Sequence, residues 1–121
     1  MAELLFFFET DCPTCRLAVP YLNRLAAAWD GKGTVQGLSQ DPELPTSAFV
    51  ASTRAQFPVA VDESWRRTKQ YDPSFVPSFY LLGDTGEILN QFFGFSKADF
   101  NGLAGMLGLP PIADRRERLG S

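Results

Sequence analysis

The hydrophobic positions change period along the chain, and each change marks an element. Leu4-Leu5-Phe6-Phe7-Phe8 is a short unbroken apolar run, which reads as a strand covered on both faces, as in a sheet flanked by helices. Three consecutive phenylalanines favour strand over helix. From Pro13 to about Trp29, the residues Ala18, Leu22, Leu25 and Trp29 recur at steps of four, three and four. That makes one helical stripe, with Pro20 expected to kink it and Asp30-Gly31-Lys32-Gly33 to end it. Thr34 to Leu38 reads as a second strand. A short helix is expected from Pro45-Thr46-Ser47 through Arg54, with Phe49 and Val50 facing inward. Phe57-Pro58-Val59-Ala60-Val61 reads as a third strand, and Asp62 as the N-cap of a helix carrying Trp65 and Tyr71.

Val76 to Leu82, the turn Gly83-Asp84-Thr85-Gly86, and Glu87 to Phe93 form an antiparallel hairpin. Ser96 with Asp99 makes a capping box for the last helix. Phe100, Leu103 and Leu107 are its buried stripe, and Gly108 and Pro110-Pro111 stop it. Trp29, Trp65 and the phenylalanines are assigned to the core. Together these elements predict an α/β fold with a central mixed sheet, mostly parallel with an antiparallel edge hairpin, flanked by helices. One domain is expected over residues 1–111, with a solvated tail over 112–121.

Composition narrows the chemistry. At 121 residues, 45% hydrophobic and 21% charged, the chain is that of a soluble globular domain able to bury a core without disulfide staples. The net charge of −3 gives no support to nucleic-acid binding, and Arg115, Arg116 and Arg118 are interleaved with acids. There is no histidine, which removes imidazole acid–base catalysis and Ser-His or Cys-His pairs. Two cysteines cannot complete a four-ligand zinc site within one chain, so neither metal nor cofactor is expected. The longest apolar run is far short of the roughly 20 residues of a membrane helix. Met1-Ala2-Glu3 shows no basic n-region or cleavage site. The location expected is cytoplasmic for a full-length chain, and extracytoplasmic for a domain of a longer precursor.

The chemistry that remains lies in Thr10-Asp11-Cys12-Pro13-Thr14-Cys15. These are the chain's two cysteines, two residues apart where a strand turns into a helix, the layout of a thiol–disulfide redox site. Free N–H groups and the positive dipole end at a helix start stabilise a thiolate, the reactive form of cysteine. Pro13 fits the first helical position. Cys12 is expected to be the exposed attacking sulfur and Cys15 the resolving one. Arg16 favours a thiolate at Cys12 and Asp11 disfavours it.

Four features in order give the chain its resemblance to the thioredoxin fold over nearly its whole length. They are the C-x-x-C at a strand-to-helix turn, Pro20 five residues after Cys15, Val76-Pro77 before a strand, and Gly94 ahead of the last helix. The middle of the chain, with Phe57-Pro58-Val59-Ala60-Val61-Asp62-Glu63 and Val76-Pro77-Ser78-Phe79-Tyr80-Leu81, is similar to the TlpA-type thiol–disulfide oxidoreductases. In that group an extra strand and helix, here Pro42 to Tyr71, separate the two thioredoxin halves. The resemblance implies a cis-proline at Pro77 lying against the sulfurs, and a Val76 backbone that pairs with an extended substrate. It further implies reduction of a disulfide-containing protein substrate, with an upstream thiol as electron donor. One departure bears on mechanism. The buried aspartate and the lysine that thioredoxins carry below the cysteines fall by position on Phe6 and Gly37. Glu9 and Asp11 are near in sequence, but strand alternation turns Glu9 away from Phe6 and Phe8.

Two other functions fit parts of the pattern. A peroxiredoxin-like peroxidase wants threonine three residues before the reactive cysteine, and that position is Glu9. A non-catalytic thioredoxin-fold binding module would carry a cysteine pair that does not cycle.

Overall fold

The computed structural model describes residues 1–113, and the arginines at 115, 116 and 118 lie outside them. Ten elements follow one another: β1 (Ala2–Phe8), α1 (Pro13–Trp29), β2 (Gly33–Ser39), α2 (Glu43–Thr53), β3 (Val59–Val61), a 3-10 turn (Glu63–Trp65), α3 (Arg66–Tyr71), β4 (Ser78–Leu82), β5 (Ile88–Phe93) and α4 (Lys97–Met106). The strands form one sheet in the order β3-β2-β1-β4-β5. β1, β2 and β3 run parallel, and the β4–β5 hairpin joins β1 antiparallel, with β5 at the edge. β1 is thus central, which explains its unbroken apolar run: all five residues from Leu4 to Phe8 are fully buried.

Alternation along β1 divides the core. Leu4, Phe6 and Phe8 face the larger cluster built with α1, Phe49 of α2 and Phe100 of α4. Leu5 and Phe7 face a smaller one with Leu38, Tyr80 and Tyr71 of α3. Helices therefore cover both faces, and the α3 side is the thin one. The register sets Phe6 opposite Gly37 on one side and Phe79 on the other. Phe6 stacks on Phe8 and Phe79 at ring-centroid distances of 4.9 and 5.3 Å. This is the position where the resemblance places a buried acid. Gly37 fits the same crowding, since a Cβ there would lie 3.0 Å from a Val59 methyl and 3.3 Å from the Phe57 ring.

Several expectations are corrected. α2 begins at Glu43 rather than Pro45, because a proline in the first helical turn lacks only an N–H that has no partner there. Val50 is half-buried rather than inward-facing. β3 is confined to Val59–Val61; before it Pro58 has no N–H to give, and its carbonyl accepts from Gly37 at 2.8 Å. β4 begins at Ser78, leaving Val76-Pro77 in the preceding loop. Trp65, Phe75 and Phe93 are 49%, 62% and 55% exposed, so they are not core. Leu107 closes α4 half-buried. Ile112 and Ala113, assigned to the tail, are buried and held by Asn101, which exchanges three hydrogen bonds of 2.8–2.9 Å with them.

Candidate functional site

The site forms where β1 ends and α1 begins. Three tethers shape the connecting loop. Gln40 donates its amide to Phe8 O at 3.1 Å, the Asp41 carboxylate accepts from the Thr10 amide at 2.7 Å, and the Cys12 amide reaches back to Glu9 O at 3.4 Å. Cys12 is the N-cap of α1, and its Sγ accepts the Cys15 amide at 3.2 Å. One of the orphan donors of the helix start is thus aimed at this sulfur. Pro13 occupies the first helical position, exposed, beside the half-buried Thr14.

The two thiols are placed unequally. Cys12 is half-buried, whereas Cys15 has no exposed surface. Burial pushes the Cys15 thiol far above its ordinary range, and the nearby Cys12 sulfur adds to the shift; the Glu9 backbone opposes it, while the Glu9 charge adds a further small increase. At neutral pH Cys15 therefore stays protonated and out of reach of a substrate. Phe6, in the same core cluster as Cys15, stands where the resemblance places a buried acid.

Across from the cysteines, the Val76–Pro77 peptide is cis and Pro77 is buried. The Cys12 thiol faces the Val76 carbonyl at 4.0 Å. Gly94, with φ of 76°, sits in the left-handed region where a side chain is disfavoured, and donates its amide to Pro77 O at 2.9 Å. The end of β5 thereby supports the proline loop. The sequence-selected residues Cys12, Pro13, Thr14, Cys15, Val76, Pro77 and Gly94 converge here. Arg16, like Asp11, is exposed. Arg16 bonds Ser52 Oγ at 2.8 Å and Thr10 O at 3.3 Å and lies over the Phe49 ring, bracing α1 against α2.

Sequence reasoning missed the surroundings. Beside Val76 opens a cavity of about 340 Å³, lined among others by Glu9, Trp65, Lys69, Asp72 and Phe75. Trp65 is fixed there by its Nε1–H, which donates to Gln40 O at 3.1 Å. The exposed Phe75 ring packs on Phe93 at 5.6 Å. Among the described residues, no group of three or more acid, cysteine or histidine side chains is placed to hold a metal ion. No described helix is long and apolar enough to cross a membrane.

A mixed sheet flanked by helices, a C-x-x-C capping the first helix and a cis-proline facing the first sulfur define a thioredoxin-like, TlpA-type protein. The chain belongs to the Redoxin family, whose model matches residues 2–107. It is 28% identical over 90 residues to a thiol-disulfide oxidoreductase ResA of Bacillus cereus, a match covering 73% of this chain and 52% of that protein. The chain thus spans about half the length of the ResA relatives it matches. Among solved structures it resembles a Chlorobium tepidum protein assigned as thiol:disulfide interchange protein DsbE, with TM-score 0.79 and 27% identity over 88% of this chain and 77% of that one. A thiol-disulfide isomerase from Corynebacterium glutamicum matches with TM-score 0.71 and 26% identity, over 88% and 79% of the two chains.

Proposed function

We propose that this chain is a thiol–disulfide oxidoreductase that reduces disulfides in protein substrates through Cys12 and Cys15. One observation carries the reading: an accessible sulfur at a helix start receives the amide of a fully buried second cysteine one turn further on. The names of the ResA, DsbE and isomerase relatives support the same chemistry.

The reaction has two exchanges. The Cys12 thiolate attacks one sulfur of the substrate disulfide; a Cys12–substrate S–S bond forms, the substrate bond breaks, and the departing thiolate takes a proton from water. Cys15 then loses its proton to solvent and attacks the Cys12 sulfur. The Cys12–Cys15 disulfide forms and the second substrate thiol leaves. Two electrons have passed from the protein dithiol to the substrate, and an upstream dithiol donor restores them. The Val76 backbone offers an edge along which an extended substrate strand pairs.

Serine variants test the roles. Cys12→Ser is expected to abolish exchange. Cys15→Ser is expected to accumulate a mixed disulfide at Cys12, seen as a covalent adduct by mass spectrometry. Full activity in either variant would overturn the assignment.

A further inference from the structure

The cavity beside Val76 shares its rim with the redox site, since Val76 lines it and also presents its carbonyl to Cys12. Two carboxylates, Glu9 and Asp72, line it against one amine, Lys69. Among the described residues Lys69 forms no ion pair with either. The cavity's excess charge is therefore negative. Beyond the Trp65 indole, a neighbouring hollow carries Asp41, Asp62 and Glu63, and Arg66 and Arg67 border the hollow after it. The Trp65 indole and Phe75 ring stand in the wall, both exposed.

From this combination we propose that the cavity receives a cationic side chain, arginine or lysine, of the disulfide-bearing polypeptide while a cysteine of that polypeptide reacts at Cys12. The inference rests on the exchange reading above and names the substrate feature that reading leaves open. Aromatic walls attract a guanidinium or ammonium group within about 6 Å of a ring, and the carboxylates supply its counter-charge. A neutral side chain gains neither, and an acidic one is repelled. Alternate side chains of an extended strand lie about 6.6 Å apart on one face. A substrate strand along Val76 therefore sends the residue two positions from its cysteine toward the cavity.

The test uses disulfide-linked peptide dimers that differ only in arginine or glutamine two positions before or after the cysteine. Turnover is measured with dithiothreitol as donor, alongside the neutral bis(2-hydroxyethyl) disulfide. For wild type, kcat/KM is expected to favour an arginine peptide about tenfold at low salt, and less at about 0.5 M salt where the attraction is screened. The arginine-to-glutamine ratio is expected to fall to about one in Glu9→Gln/Asp72→Asn and to rise in Lys69→Gln. Using the ratio within each protein removes any general effect of a variant on the chemistry. Equal wild-type rates on all peptides, with turnover of the small disulfide, would overturn the cavity's role alone. A preference insensitive to salt, or retained in the double variant, would overturn it too. Failure to turn over even the small disulfide would overturn the oxidoreductase reading itself. The wild-type salt response decides the matter where the double variant does not fold.

Discussion

At Cys15 a single side chain sets both a rate and a stability. Its thiol is held protonated because the charged form is penalised by burial, and the Phe6 stack puts aromatic rings where a proton acceptor would otherwise sit. Release of the mixed disulfide is therefore expected to quicken continuously from pH 7 to above 9, as measured by stopped-flow on the Cys12 adduct. The same shift links to folding. A thiol whose folded pKa is raised binds its proton more tightly in the folded state, so its contribution is fully present below the ordinary value of 9.0 and is lost as pH rises beyond it. The reduced protein should lose stability above about pH 9, by at most about 1.4 kcal/mol per pH unit from this group. Cys15→Ala should flatten the slope between pH 9 and 10 in denaturant titrations. Above pH 10 the Tyr80 hydroxyl, raised by burial and by the Asp72 charge, adds a loss of the same sign. An unchanged slope in Cys15→Ala would show that the thiol ionises as freely in the folded chain as in the unfolded one.

The short α3 depends on Asp62. This buried carboxylate accepts from the Arg67 and Thr68 amides and from the Thr68 hydroxyl, at 2.7–2.9 Å. Burial alone would raise its pKa, but the hydrogen bonds outweigh it and the net direction is down. Its contribution is accordingly present above the ordinary value of 3.8 and fades as pH falls through the lower folded value. Asp62→Ala strands three donors and should cost about 1–3 kcal/mol, read as a lower denaturation midpoint at pH 7 and a smaller difference from wild type in strong acid. Asp62 was legible in the sequence as an acid at a helix start, although the structure puts Trp65 in a 3-10 turn and makes it, not Asp62, the N-cap of α3. The helical stripe of α1 and the redox pair were legible too, because each rests on local spacing. Trp65, Phe75 and Phe93 were not. Hydrophobicity alone assigns them to the core, whereas a three-residue β3, a 3-10 turn and a six-residue α3 give the thin face too little cover to bury them. The bracing role of Arg16 was not legible either: its guanidinium bonds Ser52 of α2, a contact no spacing along the chain reveals.

Across the whole molecule, the site is held by parts distant in sequence. α1, which presents both cysteines, is anchored at its far end as well: Arg24 donates to Ile112 O at 3.3 Å, while Asn101 of α4 accepts the Ile112 and Ala113 amides and donates to the Ala113 carbonyl. The segment after α4 thus seals the large core cluster between α1 and α4, where Ile112 and Ala113 pack with Leu22, Leu25 and Leu103. The fold's mixed sheet and flanking helices were readable from period changes, but this seal was not, because proline and glycine at 108, 110 and 111 mark only where the helix stops. Asn101→Ala removes three hydrogen bonds to backbone that is otherwise buried and should cost about 1–3 kcal/mol, a fall in Tm of several degrees for a domain of this size. The expected loss is in stability with little change in the Cys12–Cys15 chemistry, since the seal lies at the end of α1 away from the sulfurs. Calorimetry together with turnover of a disulfide peptide separates the two. Turnover lost in proportion to the fall in Tm, at temperatures well below unfolding, would mean that the seal holds the cysteine end of α1 in place as well.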